Sequence, residues 1–566
     1  MQTDISILIG GQAGQGIQTV GELLARMCQQ AGLSVFAVND FESRIRGGHS
    51  FFQLRISERR IQAPSRHIHL LVAMSGETHA LHRQKLVEGG ICLIDSAEDG
   101  AGEGAVAVPV TQLATEAGGK IMANTVAAGA CLGLLGAPFE QFQAIITDRF
   151  SGADANVREN NLDAARAGYR AVASINFQWK PVWRDMSSEG MLMNGARALA
   201  LGALAADCRI GAFYPMSPAT GIMQQLSELS DTYPLVVEQA EDEIAAINMT
   251  IGAAFAGVRA MTATSGGGFC LMTEGLGLAA ITETPVVIVN AQRPGPATGL
   301  PTRTAQGDLL FVINAAQDEF PRFVFAPTGM DDAYAVMIRA FDLSEKYQVP
   351  AIVMTDQYFN DSFALTDGPF DAPHGHDRYT VSDADMADPS AYKRYAFTGN
   401  GISPRALPCN GQALVCAAGN EHRQDGHISE DREDRNAMVE KRSAKLSAMQ
   451  SEMRPPAAYH VDGSRTLLVS WGSTAGAVQE AVSRLRDAGE DAGCLVMADI
   501  WPFPAAAFQE VARGADTLIT VEQNATAQLG RLIRQETGMP VAHSILQYDG
   551  RAFCVEDIVD QYHQLN

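Results

Sequence analysis

Residues 5–10, ISILIG, form a short apolar run that stops at glycines; IQTVGELLARMCQQAG then carries apolar residues at helical spacing, and SVFAV is a second apolar run. Strand, glycine loop, helix and strand in that order open a parallel α/β domain. This one is expected to span residues 1–176, with further α/β alternation to about residue 175. NFQWKPVWRDMSSEG then mixes aromatic residues, Pro, Ser and Gly without a period, and residues 177–190 read as a linker. A second α/β domain follows over 191–370, with strand candidates PLVVEQ, TPVVIVNAQ and VPAIVMTD. Residues 371–462 turn polar and irregular, and two readings stand for them: an exposed arm of loop and helix, or an arm that contacts another subunit. The third unit, 463–566, begins at TLLVSWGS and continues through the helix AGAVQEAVSRLRDAG and the strands GCLVMAD and TLITVEQ. A chain of 566 residues exceeds what one hydrophobic core supports, in line with this multidomain α/β reading.

Charge narrows the partners. Lys and Arg number 42 against 65 Asp and Glu, a net charge of -23 that repels nucleic-acid phosphates and anionic lipid surfaces. No apolar run approaches the roughly 20 residues needed to cross a bilayer. The opening MQTDISILIGG lacks the features of a signal peptide, so a cytoplasmic protein is expected, with neither nucleic acid nor membrane as partner. The nine cysteines are scattered without a C-x-x-C pair, which suits reduced thiols and argues against a zinc ribbon or a ferredoxin-type cluster. If electrons move through this protein, their cluster is on another chain.

Six stretches could carry chemistry. In GGQAGQGIQ, Gly11, Gly14, Gln15 and Gly16 lie between strand and helix, where the chain forms either a plain tight turn or a cradle for a pyrophosphate at a helix N-terminus. FESRIRGGHS adds Arg44, Arg46 and His49 around two glycines, a phosphate-neutralising loop or a surface basic loop. In YPMSPAT, Pro215 and Pro218 stiffen the chain around Ser217 at a strand end, either as a plain turn or as a cradle where open α/β sheets bind ligands. PLVVEQAEDEIAAINMTIGAAFAG runs a strand into Glu238, Glu241 and Glu243, each either a solvated helix-terminal charge or a buried carboxylate sharing a proton with a cofactor nitrogen. TATSGGGFCLMTEGLG offers Thr264, Ser265 and three glycines, and NAQRPGPATGLPTRTAQGD places Arg293 and Arg303 in a loop rich in Pro and Gly, either as two solvated loop arginines or as bidentate carboxylate binders.

Together these motifs resemble the 2-oxoacid:ferredoxin oxidoreductases, and within them the fused γ–α subunit of the 2-oxoglutarate type. YPMSPAT resembles the family's YPITP, QAEDEIAA its helix with the thiamine-activating glutamate, and QRPGPATGLPTRTAQGD its QR-x-GPSTGLPT-x-x-QGD signature. GISPRALPC, EHRQDG, VEKRSAK and VEQNATAQLGRLIR match as well, so the resemblance spans nearly the whole chain. It departs at Ser217, where the family has threonine, and at residues 195–198, Gly-Ala-Arg-Ala where the family reads Gly-Asn-Glu-Ala.

The resemblance implies a thiamine diphosphate enzyme that decarboxylates a 2-oxoacid, reduces ferredoxin and transfers the acyl group to coenzyme A. It implies a γ-type CoA-binding domain over 1–176, a pyrimidine-binding domain over 191–370, and a transketolase C-terminal-like domain over 463–566. Glu243 would share a proton with the aminopyrimidine, beside Tyr214 and Pro215 at the cofactor. Ser217 would hydrogen-bond the substrate, Arg293 hold its 1-carboxylate and Arg303 the distal carboxylate. Gly11, Gly14, Gln15 and Gly16 would bind CoA. Mg²⁺, the diphosphate site and a [4Fe-4S] cluster are expected on a β subunit in an (αβ)₂ assembly. The competing expectations are a pyruvate or branched-chain 2-oxoacid oxidoreductase, and a non-catalytic CoA-binding assembly subunit.

Overall fold

The computed structural model describes residues 4–12, 14–41, 48–97, 105–184, 190–368, 370–371 and 375–565. The chain divides into two compact units. The first comprises Met1–Asn194 with two later returns of the chain, Asp361–Pro369 and Phe553–Asp560; the second comprises Gly195–Asn360, Phe370–Ala552 and Gln561–Asn566.

Among the described residues, the first unit is built on an eight-stranded sheet in the order Ala105–Val108, Leu86–Asp95, Ile68–Ala73, Asp4–Gln12, His49–Ser57, Ser34–Phe41, Phe363–Leu365 and Leu192–Asn194. Asp4–Gln12 runs parallel to Ile68–Ala73 but antiparallel to His49–Ser57, which is itself antiparallel to Ser34–Phe41. The sheet is therefore mixed, whereas the opening β-loop-α-β pattern predicts a parallel one. HSFFQLRIS enters between the two strands that the first helix connects, and its side chains are buried at every position but one half-buried residue, which favours a central place. The helix Ile17–Gln30 covers the sheet with Ile17, Val20, Leu23, Leu24 and Met27. Behind it, Ala123–Leu135 and Ala155–Ala171 approach so closely that a Cβ on Gly129 would strike the Ala165 carbonyl, and one on Gly168 the Val126 carbonyl.

The second unit contains two sheets among the described residues. A seven-stranded sheet has the order Asp499–Trp501, Phe323–Phe325, Ala351–Asp356, Val287–Gln292, Ala260–Thr264, Ile210–Phe213 and Val236–Gln239. Every pairing in it is parallel except that of Asp499–Trp501 with Phe323–Phe325. Val287–Gln292 and Ala351–Asp356 are buried along their whole length, as central parallel strands covered on both faces must be. A five-stranded sheet, Ala457–Tyr459, Ala492–Met497, Thr466–Trp471, Thr517–Glu522 and His543–Leu546, holds the C-terminal part.

In the polar stretch 371–462 many of the described residues are exposed, as the arm reading expects, but several charged ones are buried. The stretch packs within the second unit, because its charges find partners far away in sequence. Glu283 is fully enclosed and receives Lys441 Nζ at 2.5 Å on one oxygen and Lys445 Nζ at 2.6 Å on the other. Arg394 donates to the Glu283 carbonyl at 2.7 Å and to Gln348 Oε1 at 2.7 Å. A second buried cluster joins Arg259 and Arg378 to Glu345. Burial opposes the charged form of Glu283, but Lys445, Lys441 and Arg394 outweigh it and hold the carboxyl well below its ordinary value of 4.5. Burial pulls Lys441 down to about 8.

Removing one member of such a cluster strands the others. Glu283→Gln is expected to cost about 3–5 kcal/mol in denaturant unfolding, and adding Lys441→Met and Lys445→Met should recover most of it. Because the Glu283 carboxyl is depressed, its contribution is complete above its unfolded value of 4.5 and is lost as pH falls through the folded value. The difference in stability between wild type and Glu283→Gln should therefore shrink in acid.

Candidate active site

The helix Glu243–Phe255 starts directly after the edge strand Val236–Gln239 and its short connection. Its N-cap is Asp242, whose Oδ1 accepts the Ala245 N–H at 2.7 Å. With capping done by an exposed neighbour, Glu243 is free for other work and turns inward, at 3% exposure, while Glu238 and Glu241 stay in water. Its Oε1 is buried with no hydrogen-bond partner among the described residues. The space for this carboxylate comes from Gly268 in the next helix, Gly266–Ile281: a Cβ there would lie 2.6 Å from Glu243 Oε1 and strike Thr264 Oγ1. A glycine run that reads as a source of amides thus acts at this position by lacking a side chain.

Thr264 ends the strand Ala260–Thr264, and its hydroxyl reaches Met216 Sδ at 3.9 Å, which brings the YPMSPAT loop beside Glu243. Tyr214 and Pro215 are on the exposed part of that loop. Arg293, immediately after the strand Val287–Gln292, donates from Nη1 to the Ser217 carbonyl at 2.7 Å, so Ser217 gives Arg293 its backbone oxygen and not its hydroxyl. Arg293 Nε is buried with no hydrogen-bond partner among the described residues, and burial lowers the guanidinium's pKa. The loop that follows closes on itself, Leu300 N–H donating to the Pro294 carbonyl at 3.0 Å; Gly299 has φ +52°, and a Cβ there would run into that carbonyl. Arg303 lies further along it, with its aliphatic stem on Gly550, 3.0 Å from where a Cβ on that glycine would be.

Two polar residues that the motif reading leaves without a role also belong here. Asp308 accepts a hydrogen bond from Asn290 Nδ2 at 3.1 Å and sits 2.5 Å from where a Gly266 Cβ would be. Burial raises its carboxyl, against the Asn290 bond. The signal for both was in NAQR and QGD, whose polar residues flank the arginine loop on either side. Arg197, at the departure in residues 195–198, donates to Gln225 Oε1 at 2.9 Å and pairs with Glu228.

In the first unit, the four residues of the glycine loop separate by role. Gln15 folds its carboxamide back, Oε1 accepting the Gln12 N–H at 2.7 Å and Nε2 donating to the Met74 carbonyl at 3.3 Å. Gly11 leaves room for that carboxamide, and Gly16, at φ +74°, abuts Asn124 at 2.5 Å from a would-be Cβ. Gly14 has φ +98° and, among the described residues, nothing within 4 Å of a would-be Cβ. Among the described residues, no side chain caps the start of the helix Ile17–Gln30. A cavity of about 80 Å³ adjoins the loop, lined by Gln15, Met74, Asp95, Val110, Thr111 and Ala127. Arg44 and Arg46 fall outside the described residues. His49 differs from a basic surface residue: it is buried with Nε2 2.8 Å from His82 Nε2, and burial drives His82 down to about 3.

Residues 201–441 match the family described as pyruvate flavodoxin/ferredoxin oxidoreductase, thiamine diphosphate-binding; residues 6–171 match pyruvate ferredoxin/flavodoxin oxidoreductase, and 465–558 match pyruvate:ferredoxin oxidoreductase core domain II. A 2-oxoacid:ferredoxin oxidoreductase subunit alpha of Sulfolobus is 32% identical over 98% of this chain and 96% of its own. The 2-oxoglutarate synthase subunit KorA of Archaeoglobus fulgidus is 34% identical over 59% of this chain and 88% of its own. The solved 2-oxoglutarate:ferredoxin oxidoreductase of Magnetococcus marinus, with 2-oxoglutarate, coenzyme A and succinyl-CoA bound, superposes over the whole of both chains at a TM-score of 0.92 and 30% identity. Full-length identity, three matching domains in order and one shared fold agree: this chain belongs to the 2-oxoacid:ferredoxin oxidoreductase family, as an alpha subunit.

Proposed function

We propose that the chain is the alpha subunit of a 2-oxoglutarate:ferredoxin oxidoreductase, converting 2-oxoglutarate, CoA and oxidised ferredoxin into succinyl-CoA, CO₂ and reduced ferredoxin. The observation that carries this reading is the buried Glu243 carboxylate with an unpartnered oxygen, inside the segment that matches a thiamine diphosphate-binding family and beside the Arg293–Ser217 contact. The KorA relative and the Magnetococcus enzyme support 2-oxoglutarate over other 2-oxoacids.

The residues fit thiamine diphosphate. A carboxylate oxygen enclosed without a donor suits a ring nitrogen that shares a proton with it, and Gly268 keeps the approach clear. When bound, thiamine diphosphate supplies the carbon nucleophile for the 2-oxo carbon and the electron sink for loss of CO₂. Glu243 Oε1 holds the proton shared with the aminopyrimidine, and Tyr214 and Pro215 border that cofactor on the stiff loop. The Arg293 guanidinium, partly desolvated, holds the 1-carboxylate, and the Ser217 hydroxyl, not engaged by Arg293, hydrogen-bonds the substrate. Arg303, on the same loop, takes the distal carboxylate. In the 1–176 domain the Gly14 backbone meets CoA, and Gly11, Gln15 and Gly16 shape the loop around it. Mg²⁺, the cofactor's diphosphate and the [4Fe-4S] cluster are assigned to a β subunit in an (αβ)₂ complex that reduces ferredoxin.

The test is anaerobic viologen reduction by the complex co-purified with its partner, given thiamine diphosphate, Mg²⁺ and CoA. A CoA-dependent rate that favours 2-oxoglutarate over pyruvate is expected. Preference for pyruvate or a branched-chain acid would remove Arg303 as the distal clamp, and no rate from a fully loaded complex would favour a non-catalytic assembly role. Arg303→Ala is expected to raise the KM for 2-oxoglutarate by about tenfold and that for pyruvate far less, since only one of them has a second carboxylate to lose. Equal changes would sink the assignment.

A further inference from the structure

The motif VEQNATAQLGRLIR belongs to the C-terminal part of the chain, yet three of its residues hold the end of the arginine loop. Gln306 is completely buried, and each of its four polar groups is taken by that part of the chain. Its N–H donates to the Gln523 carbonyl at 2.7 Å, and its side-chain Oε1 accepts the Gln523 N–H at 3.0 Å. Its Nε2 donates to the Trp471 carbonyl at 2.8 Å, and its carbonyl accepts Asn524 Nδ2 at 3.1 Å. Gln528 continues the grip, Nε2 donating to the Gly307 carbonyl at 2.7 Å and Oε1 accepting the Leu310 N–H at 3.0 Å.

The other end of the loop is tied back to the residues that follow Gln306. Gln292, the residue before Arg293, donates to the Thr355 carbonyl at 3.1 Å and accepts the Asp308 N–H at 3.0 Å. Beside it, Asp356 accepts the Ser473 hydroxyl, and Ser473 Oγ accepts Gln523 Nε2 at 3.3 Å. The thirteen residues from Arg293 to Ala305 thus hang between two stems: Gln306, bonded directly to Gln523, and Gln292, bonded to the Thr355 carbonyl and to the Asp308 N–H two residues beyond Gln306.

We propose that Gln306 is a positioning residue: it locks the stem of this loop onto the C-terminal part of the chain and so fixes Arg293 against the Ser217 carbonyl. The C-terminal part then takes part in holding the substrate carboxylate. This rests on the reading of Arg293 as the carboxylate clamp.

The test uses the complex with its partner subunit and compares wild type with Gln306→Leu, Gln306→Glu, Gln528→Ala and Arg293→Lys. Gln306→Leu is expected to raise the KM for the 2-oxoacid by about tenfold or more, to leave the KM for CoA within about twofold, and to speed hydrogen exchange in peptides covering 294–305. Gln306→Glu sets a carboxylate oxygen against the Trp471 carbonyl in a fully buried place, so its rise in the 2-oxoacid KM should be at least as large. If Gln306→Leu fails to assemble, Gln528→Ala carries the same test, because it releases Gly307 and Leu310 without burying an unpaired group. An unchanged 2-oxoacid KM in the Gln306 and Gln528 variants, with Arg293→Lys impaired, would overturn the positioning role and leave the Arg293 reading standing. Equal rises in both KM values would also overturn it, as general loosening. If Arg293→Lys itself leaves the 2-oxoacid KM unchanged, the clamp reading falls and this proposal with it.

Discussion

A carboxylate kept out of water with one oxygen unpartnered costs a fold on the order of 1–3 kcal/mol, more if it is charged, and the second unit is arranged around such a group at Glu243. Asp242 relieves it of capping duty, Gly268 clears the volume it occupies, and Thr264 stands at its side. Apart from the Asp242 cap, which stabilises its helix, these features add no stability to an isolated chain. On the proposed reading, the missing donor arrives with the bound cofactor, and the site is preorganised for it.

Around that group the parallel sheet does what such sheets do, presenting loops at the carboxyl ends of Ile210–Phe213, Ala260–Thr264 and Val287–Gln292. What holds those loops still is less ordinary. The Arg293 loop is stiffened internally by Gly299 and its prolines, and at its stem by residues more than two hundred positions later in the chain, the Gln306–Gln523 pair being separated by 217. The polar stretch before the C-terminal sheet is fastened in a similar way, with Glu283 taking two lysines in a space too dry for any of the three to stand alone. The chain therefore uses buried polar networks, not apolar area alone, to join its later segments into one unit.

Much of the fold could be read in advance because the strands are continuous apolar runs. TPVVIVNAQ, VPAIVMTD, TLLVSWGS and TLITVEQ each contain the strand they suggest. The insertion of His49–Ser57 antiparallel beside Asp4–Gln12 could not be read, since strand order depends on which partners bury a run best and not on local pattern. The burial of Lys441, Lys445 and Arg394 was hidden for a related reason: a mixed charge run looks solvated until its distant partners are known. At the site, the motifs named Ser217, Glu243 and Arg293, and the fold brings their loops together, but the sequence could not show that Gly268 works by absence. Nor could it show that Gln306 is held by Gln523, because hydrogen bonds between distant segments leave no periodic trace.

The most direct measurement of this account is the paired determination of thiamine diphosphate content and turnover in the Glu243→Gln complex. If Glu243 is the proton partner, the variant should retain the cofactor while turnover falls by about a hundredfold or more, the size of a lost acid–base contribution. Turnover near that of the wild type, with the cofactor bound, would contradict the role given to Glu243 and the reading of the site built on it.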